Sequence, residues 1–266
     1  MTAIKVLLSV SVFLLLAIIG SAQFLDRRCL AKTFQPRIIG GQNARRAPWM
    51  AYLIRKGAYV GGGSLIAHRF VLTAAHCSKV NETIYVRLGE YDLSTTQDGP
   101  TEVYQTIYIF RHPHYNVIMQ VNDIAILKLD RSVVYKATIR PICIIIDPSI
   151  RSLIHRIQNF SLTGWGQTSQ YYKMPTKLQQ MTVRRHNYIH CYNQVDKICA
   201  SNPTQFSCQG DAGSPLSAQV IYNGSTISAL FGVANTVTAN CKGYGIYSDV
   251  FHYTPWIVEN VRRNWN

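Results

Sequence analysis

Beyond its first two dozen residues this chain has no long apolar stretch with a 3.6-residue period, and that constrains its fold more than any other feature. It carries instead short runs rich in β-branched and aromatic residues, separated by turn residues: Tyr52 to Ile54, Phe70 to Thr73, Ile84 to Leu88, Val103 to Phe110, Ile124 to Leu129, Gln180 to Arg184 and Ile246 to Val250. Such spacing predicts an all-β barrel or sandwich. One helix is expected at the end. Thr254 and Pro255 read as an N-cap and first helical position, and Trp256, Ile257 and Val261 form an apolar stripe.

Lys5 precedes an apolar run from Val6 to Ile19, followed by the small residues Gly20, Ser21 and Ala22. This is a signal-peptide pattern with cleavage expected after Ala22, which makes the protein secreted. The same run could anchor the chain, but it falls short of the roughly 20 apolar residues of a spanning helix, and no second run follows. About 240 residues then remain, enough for one large all-β domain or two small ones. The formal charge of +14 is spread over pairs such as Arg27-Arg28 and Arg184-Arg185. A solvated basic surface explains it, and so does affinity for acidic glycans; no specific nucleic-acid partner is implied. Seven cysteines in a secreted chain argue for disulfides with one thiol left over, and the lack of any CxxC pair leaves zinc without support.

Four separated motifs carry the chemistry: Arg37-Ile38-Ile39-Gly40-Gly41, Thr73-Ala74-Ala75-His76-Cys77, Asn122-Asp123-Ile124-Ala125 and Gly210-Asp211-Ala212-Gly213-Ser214-Pro215. With Thr163-Gly164-Trp165-Gly166 and Pro141-Ile142-Cys143, in this order, the chain resembles the trypsin/chymotrypsin family of serine proteases from about Arg37 onward. The resemblance implies two six-stranded antiparallel β-barrels, at about 38–140 and 141–253, plus a short C-terminal helix at 254–266, after a pro-segment at 23–37. It also implies that His76 is the base, Asp123 the carboxylate that orients it, and the Gly210 N–H an oxyanion-hole donor. No cofactor or metal is implied.

The chain departs from the family where it matters most. The pattern Gly-Asp-Ser-Gly-Gly-Pro reads Gly-Asp-Ala-Gly-Ser-Pro here, so Ala212 stands at the nucleophile position. A methyl group has no lone pair for a carbonyl and no proton for His76 to remove. Ser214 lies two residues beyond that position, and a misplacement of even ~1 Å can cost about 10²-fold. Six positions before Ala212, where family members that cut after Arg or Lys carry aspartate, stands Phe206; such specificity is excluded. The pocket wall reads Asn235-Thr236-Val237 instead of Ser-Trp-Gly, while Gly245 matches the opposite wall.

Other inherited features are retained. Cleavage after Arg37 by an upstream trypsin-like protease would free the Ile38 ammonium to pair with Asp211, a conformational switch. Family positions pair Cys29 with Cys143, Cys191 with Cys199 and Cys208 with Cys241; the partner place of Cys77 is Gly61, which leaves Cys77 a buried, unreactive, unpaired thiol next to His76, with intermolecular pairing as the alternative. Sequons at Asn81, Asn159 and Asn223 can accept glycans. Glu90 and Glu102 fall where some relatives bind calcium, though two such carboxylates are more often simply solvated. The expectation is a secreted, non-catalytic protease homolog that engages a protein partner: a protease, its inhibitor or its substrate. An active endopeptidase using Ser214, and a basic glycan- or surface-binding protein, are the competing readings.

Overall fold

The structure is a computed structural model that describes residues 24–30, 47–79, 81–97, 99–167, 174–187, 189, 194–203, 210–222, 224–237 and 244–266. The signal-peptide region, Arg37, Ile38, Cys191, Phe206, Cys208, Asn223, Cys241 and the side chain of Val237 lie outside the described residues.

Twelve strands form two closed barrels. The first contains β1 (Met50–Arg55), β2 (Ala58–Ala67), β3 (Phe70–Thr73), β4 (Tyr85–Leu88), β5 (Glu102–Arg111) and β6 (Ala125–Leu129). The second contains β7 (Asn159–Gly164), β8 (Gln179–His186), β9 (Lys197–Ser201), β10 (Pro215–Tyr222), β11 (Ser225–Val237) and β12 (Gly245–Asp249). Around the first barrel the order is β1-β2-β3-β6-β5-β4, and around the second, read from β7, it is β7-β8-β9-β12-β11-β10. The two halves therefore repeat one antiparallel topology. Closure leaves no open sheet edge.

Local sequence explains several of these elements. Lys56 and Gly57 both have positive φ, 51° and 77°, and join Arg55 to its partner Ala58. A two-residue turn of this handedness matches the twist of a hairpin. Alternation along β4 buries Val86 and Leu88 while Tyr85 faces solvent. Gly63 lies where a Cβ would meet Val71 Cγ1 at 2.8 Å, so the glycine-rich β2 is a strand whose neighbours come too close for side chains.

The C-terminal helix α2 (Val250–Arg263) begins at Val250, not at Pro255 as the Thr254-Pro255 pair predicts. The cap is Asp249, whose carboxylate accepts from the Phe251 N–H at 2.9 Å; Pro255 lies inside the helix, and Thr254 Oγ1 donates to the Val250 carbonyl. Residue 250, expected to end a strand, is thus the first helical residue. A single short turn, α1 (Arg151–Ile154), precedes β7. Ile257 and Val261 of α2 are fully buried and share a cluster with Phe70 and Leu127 of the first barrel. Helix α2 follows the second barrel in sequence, packs along β11 and reaches the core of the first barrel. Among the described residues no helix is long and apolar enough to cross a membrane.

The segment at 24–30 is docked onto this body. Phe24 and Leu25 are buried, Leu25 N–H donates to the Ile144 carbonyl, and Cys29 is disulfide-bonded to Cys143. Asp26 accepts from the Arg28 backbone and guanidinium and from Tyr135 Oη. Burial works to raise this carboxyl, and the Arg28 and Tyr135 hydrogen bonds outweigh it, holding it below the usual carboxylate range.

Candidate functional site

His76 sits on a single 3-10 turn, Ala75–Cys77, that follows β3. Ser78 Oγ closes the turn by donating to the Ala75 carbonyl at 2.7 Å, and Thr73 Oγ1 ties the end of β3 to the Gly62 carbonyl at 2.8 Å. Asp123 reaches the same place from the loop before β6. That loop turns at Gln120 and Asn122, both at positive φ, and Tyr253 of α2 braces it through a hydrogen bond to Asn122 Oδ1. Asp123 holds His76 at two points: Oδ1 accepts the backbone N–H at 2.9 Å, and Oδ2 lies 2.6 Å from Nδ1.

Behind Asp123 lies a buried polar network that the motifs do not announce. Asn235 Nδ2 donates to the Asp123 carbonyl at 2.6 Å and to Oδ2 at 3.2 Å, and Ser248 Oγ donates to the same carbonyl at 3.1 Å. Asn235, expected along the pocket wall, therefore turns its amide to Asp123. Lys197, only 1% exposed, places Nζ 3.4 Å from Asn235 Oδ1 and 3.3 Å from Ser248 Oγ, with Asp196 Oδ2 at 3.7 Å. Its one trace in the sequence is a lysine at the head of the apolar run Ile198-Cys199-Ala200.

These contacts set the charges. For Asp123, burial works upward, and the hydrogen bond and charge of His76 outweigh it, keeping the carboxyl below its ordinary range. For His76, burial works downward, and the hydrogen bonds to Asp123 and Cys77 outweigh it, pushing the imidazole up to about 10. Burial lowers Lys197 despite the nearby carboxylates of Asp196 and Asp123.

The segment carrying Ala212 is pressed against the first barrel. Gly62 N–H donates to the Ala212 carbonyl at 2.8 Å, and a Cβ on Gly213 would fall 2.2 Å from both the Gly62 carbonyl and Thr73 Oγ1. Asp211 folds back so that the Gly166 N–H donates to Oδ1 at 3.2 Å, and a Cβ on Gly166 would lie 2.3 Å from its Cγ. Gly166 is the last residue of the Thr163-Gly164-Trp165-Gly166 motif, which makes that motif a bed for this carboxylate. Gly210 has φ +96°, and its carbonyl accepts from Tyr59 Oη at 2.8 Å.

Ala212 is half-buried, whereas Ser214 is fully buried. The Ser214 hydroxyl is wedged beneath the site: it lies 2.5 Å and 2.7 Å from where Cβ atoms on Gly62 and Gly164 would stand, with no hydrogen-bond partner among the described residues. Leaving such a hydroxyl unpaired costs about 1–3 kcal/mol.

The remaining expected residues fall as follows. Val237 pairs with Gly245 in the β11–β12 ladder, and a Cβ on Gly245 would fall 2.6 Å from Tyr247 Oη. Cys199 is disulfide-bonded, with its expected partner outside the described residues. Cys77 is free and buried. Asn81 and Asn159 are exposed. Glu90 and Glu102 are not simply solvated: Glu90 is buried and accepts from Arg87 Nη1 at 3.3 Å, and Glu102 accepts from Lys136 and Tyr104. This chain's own cations meet both carboxylates, and no group of three metal-ligating side chains occurs among the described residues.

The family model named Trypsin matches residues 38–257. The chain belongs to the trypsin family. Trypsin-family relatives include serine protease grass of Drosophila melanogaster, 30% identical over 245 residues that cover 82% of this chain and 65% of that protein. Melanization protease 1 of the same organism is 32% identical, covering 87% of this chain and 67% of its own length. Trypsin II-P29 of Gallus gallus is 34% identical, with coverage of 85% and 89%. The chain thus spans about two thirds of the first two relatives. In solved structures the fold matches a Drosophila Grass clip serine protease of the Toll pathway, with TM-score 0.76 and 27% identity, covering 88% of this chain and 74% of that one.

Proposed function

We propose that this trypsin-family chain is a secreted, non-catalytic protease homolog that binds a protein partner and is switched by cleavage after Arg37. The observation that carries this is the pairing of a complete His76–Asp123 couple with a methyl group at residue 212. The base and its orienting carboxylate have nothing to deprotonate there. The burial of Ser214 argues against a substitute nucleophile. Retention of Arg37, Ile38 and Asp211 supports a cleavage-driven change of shape, with residues 1–22 as signal peptide and 23–37 as a pro-segment joined to the rest through Cys29. The relatives named as proteases of the Toll pathway and of melanization favour a partner drawn from a protease cascade: a protease, its inhibitor or its substrate.

The test is turnover of a broad fluorogenic peptide library after controlled cleavage at Arg37, comparing the wild type with Ala212→Ser. Loss of the nucleophile from an intact triad costs on the order of 10⁶ in turnover, so the wild type is expected to be silent and the variant to gain measurable activity. Inhibitor-sensitive turnover by the wild type would overturn the reading.

A further inference from the structure

Acidic residues are spread unevenly along this chain. No Asp or Glu occurs between Asp147 and Asp196, yet that stretch holds Arg151, Arg156, Arg184 and Arg185. The fold gathers these four on one side of the second barrel. Register sets Arg184 of β8 opposite Asn159, the first residue of β7, and both are exposed. Directly opposed residues share a face of the sheet. Arg185, next along β8, anchors the connection that leads into β7: its N–H donates to the Gln158 carbonyl at 2.7 Å, and its Nε donates to the Ile157 carbonyl at 3.0 Å. With that backbone tied down, Arg151 in the short turn α1 and His155 and Arg156 just after it are left exposed. Arg151, Arg156 and Arg184 form no ion pair and no side-chain hydrogen bond among the described residues. Asp147, the carboxylate nearest to Arg151 in sequence, accepts the Ser149 N–H at 2.9 Å. Elsewhere the chain answers its cations with its own carboxylates, Arg28 with Asp26 and Arg87 with Glu90.

Like charges held close together repel, and a fold that gathers them without a carboxylate leaves their field directed at solvent. We propose that this face is a binding site for a sulfated polysaccharide, with Arg151, Arg156 and Arg184 each taking a sulfate group and His155 flanking them. A guanidinium presents paired N–H donors in one plane, which match two oxygens of a sulfate. Each exposed contact alone is weak, so three such forks on neighbouring elements suit a polymer that repeats its anions. Location favours a sulfated sugar over a phosphate polymer. The reading of residues 1–22 as a signal peptide puts this surface outside the cell, and the proposal rests on that reading only for the choice of polymer. It does not rest on the loss of the nucleophile. Asn159 stands on the same face within a sequon, so an N-glycan there would shield Arg184 and weaken the site.

The experiment measures binding of the full chain to immobilised heparin by surface plasmon resonance at about 0.15 M salt, where distant surface charges are already screened. Wild type and Asn159→Gln are compared with Arg151→Gln/Arg156→Gln/Arg184→Gln and with a control, Lys79→Gln/Arg262→Gln/Arg263→Gln, that removes the same charge from exposed positions elsewhere. The three arginines have no partner within the fold, so their replacement leaves the fold intact. A basic residue at an anionic surface is commonly worth about fivefold, so the site variant should lose about 10²-fold in affinity and the control less than tenfold. Asn159→Gln should bind no more weakly than the wild type. Absence of heparin binding in both of these proteins would overturn the proposal, and so would equal losses in the site variant and the control. Tighter binding to a DNA duplex or to phosphatidylserine vesicles than to heparin would overturn the assignment to a sulfated sugar. Secretion is read separately, from recovery of the chain in the culture medium, and heparin binding by the purified protein stands or falls without it.

Discussion

Each ring nitrogen of His76 answers to a different neighbour, and the two together fix its protonation. Its folded value of about 10 stands above the ordinary ~6.5, so the stability drawn from the protonated ring is complete below ~6.5 and is lost as pH rises through about 10. Asp123, held below its usual range, works in the other direction: its contribution is present above ~3.9 and fades in acid. Imidazole signals followed by NMR should therefore show no His76 midpoint near 6.5. In Asp123→Asn the midpoint should fall, because only the Cys77 contact is left to oppose burial; a wild-type midpoint at 6.5 would refute the coupling. His76, Asp123 and Ala212 were legible in the sequence because each stands in a contiguous motif. Lys197 and Ser248 were not, since they reach Asp123 across a barrel from two strands whose local patterns are ordinary. Asn235 was visible as part of the pocket wall, but its hydrogen bonds to Asp123 were not, because they depend on a rotamer that no local pattern fixes.

At the level of elements, helix α2 carries stability out of proportion to its length. Ile257 is fully buried in a cluster shared by the first barrel and β11, so Ile257→Ala should cost about 2–5 kcal/mol, read from denaturant unfolding of the intact chain. A loss below 1 kcal/mol would mean that the helix is docked only loosely. The strands with clear apolar patterns, β1, β3, β4, β5, β6, β8 and β12, lie within two or three residues of their sequence-based limits. The five missed ones have physical reasons in common. In β2, Gly61-Gly62-Gly63 offers no apolar alternation, and the glycines are required by close contacts with β3 and with residues 212–214. In β9 the leading lysine breaks the apolar run, and β7, β10 and β11 interleave serine, threonine and glycine at positions that only closure of the barrel buries. The start of α2 was missed because Thr254-Pro255 imitates a cap, whereas Asp249 supplies the one used.

For the molecule as a whole, the site residues are drawn from two halves of one repeated design. His76 and Asp123 come from the first, while Ala212 and Asn235 come from the second. The Cys29–Cys143 bond ties the leading segment to this body across 114 residues of sequence. Cleavage after Arg37 should consequently leave one species on a non-reducing gel and two after reduction, and release of the leading piece without a reductant would contradict the bridge. The buried ammonium of Lys197 sits behind the network that holds Asp123. A serine restored at 212 would work through an aspartate whose negative charge is already partly answered from behind by a buried lysine. The path back to proteolysis therefore has at least two steps, and neither is rewarded in full without the other, so the descent into this state acts as a ratchet.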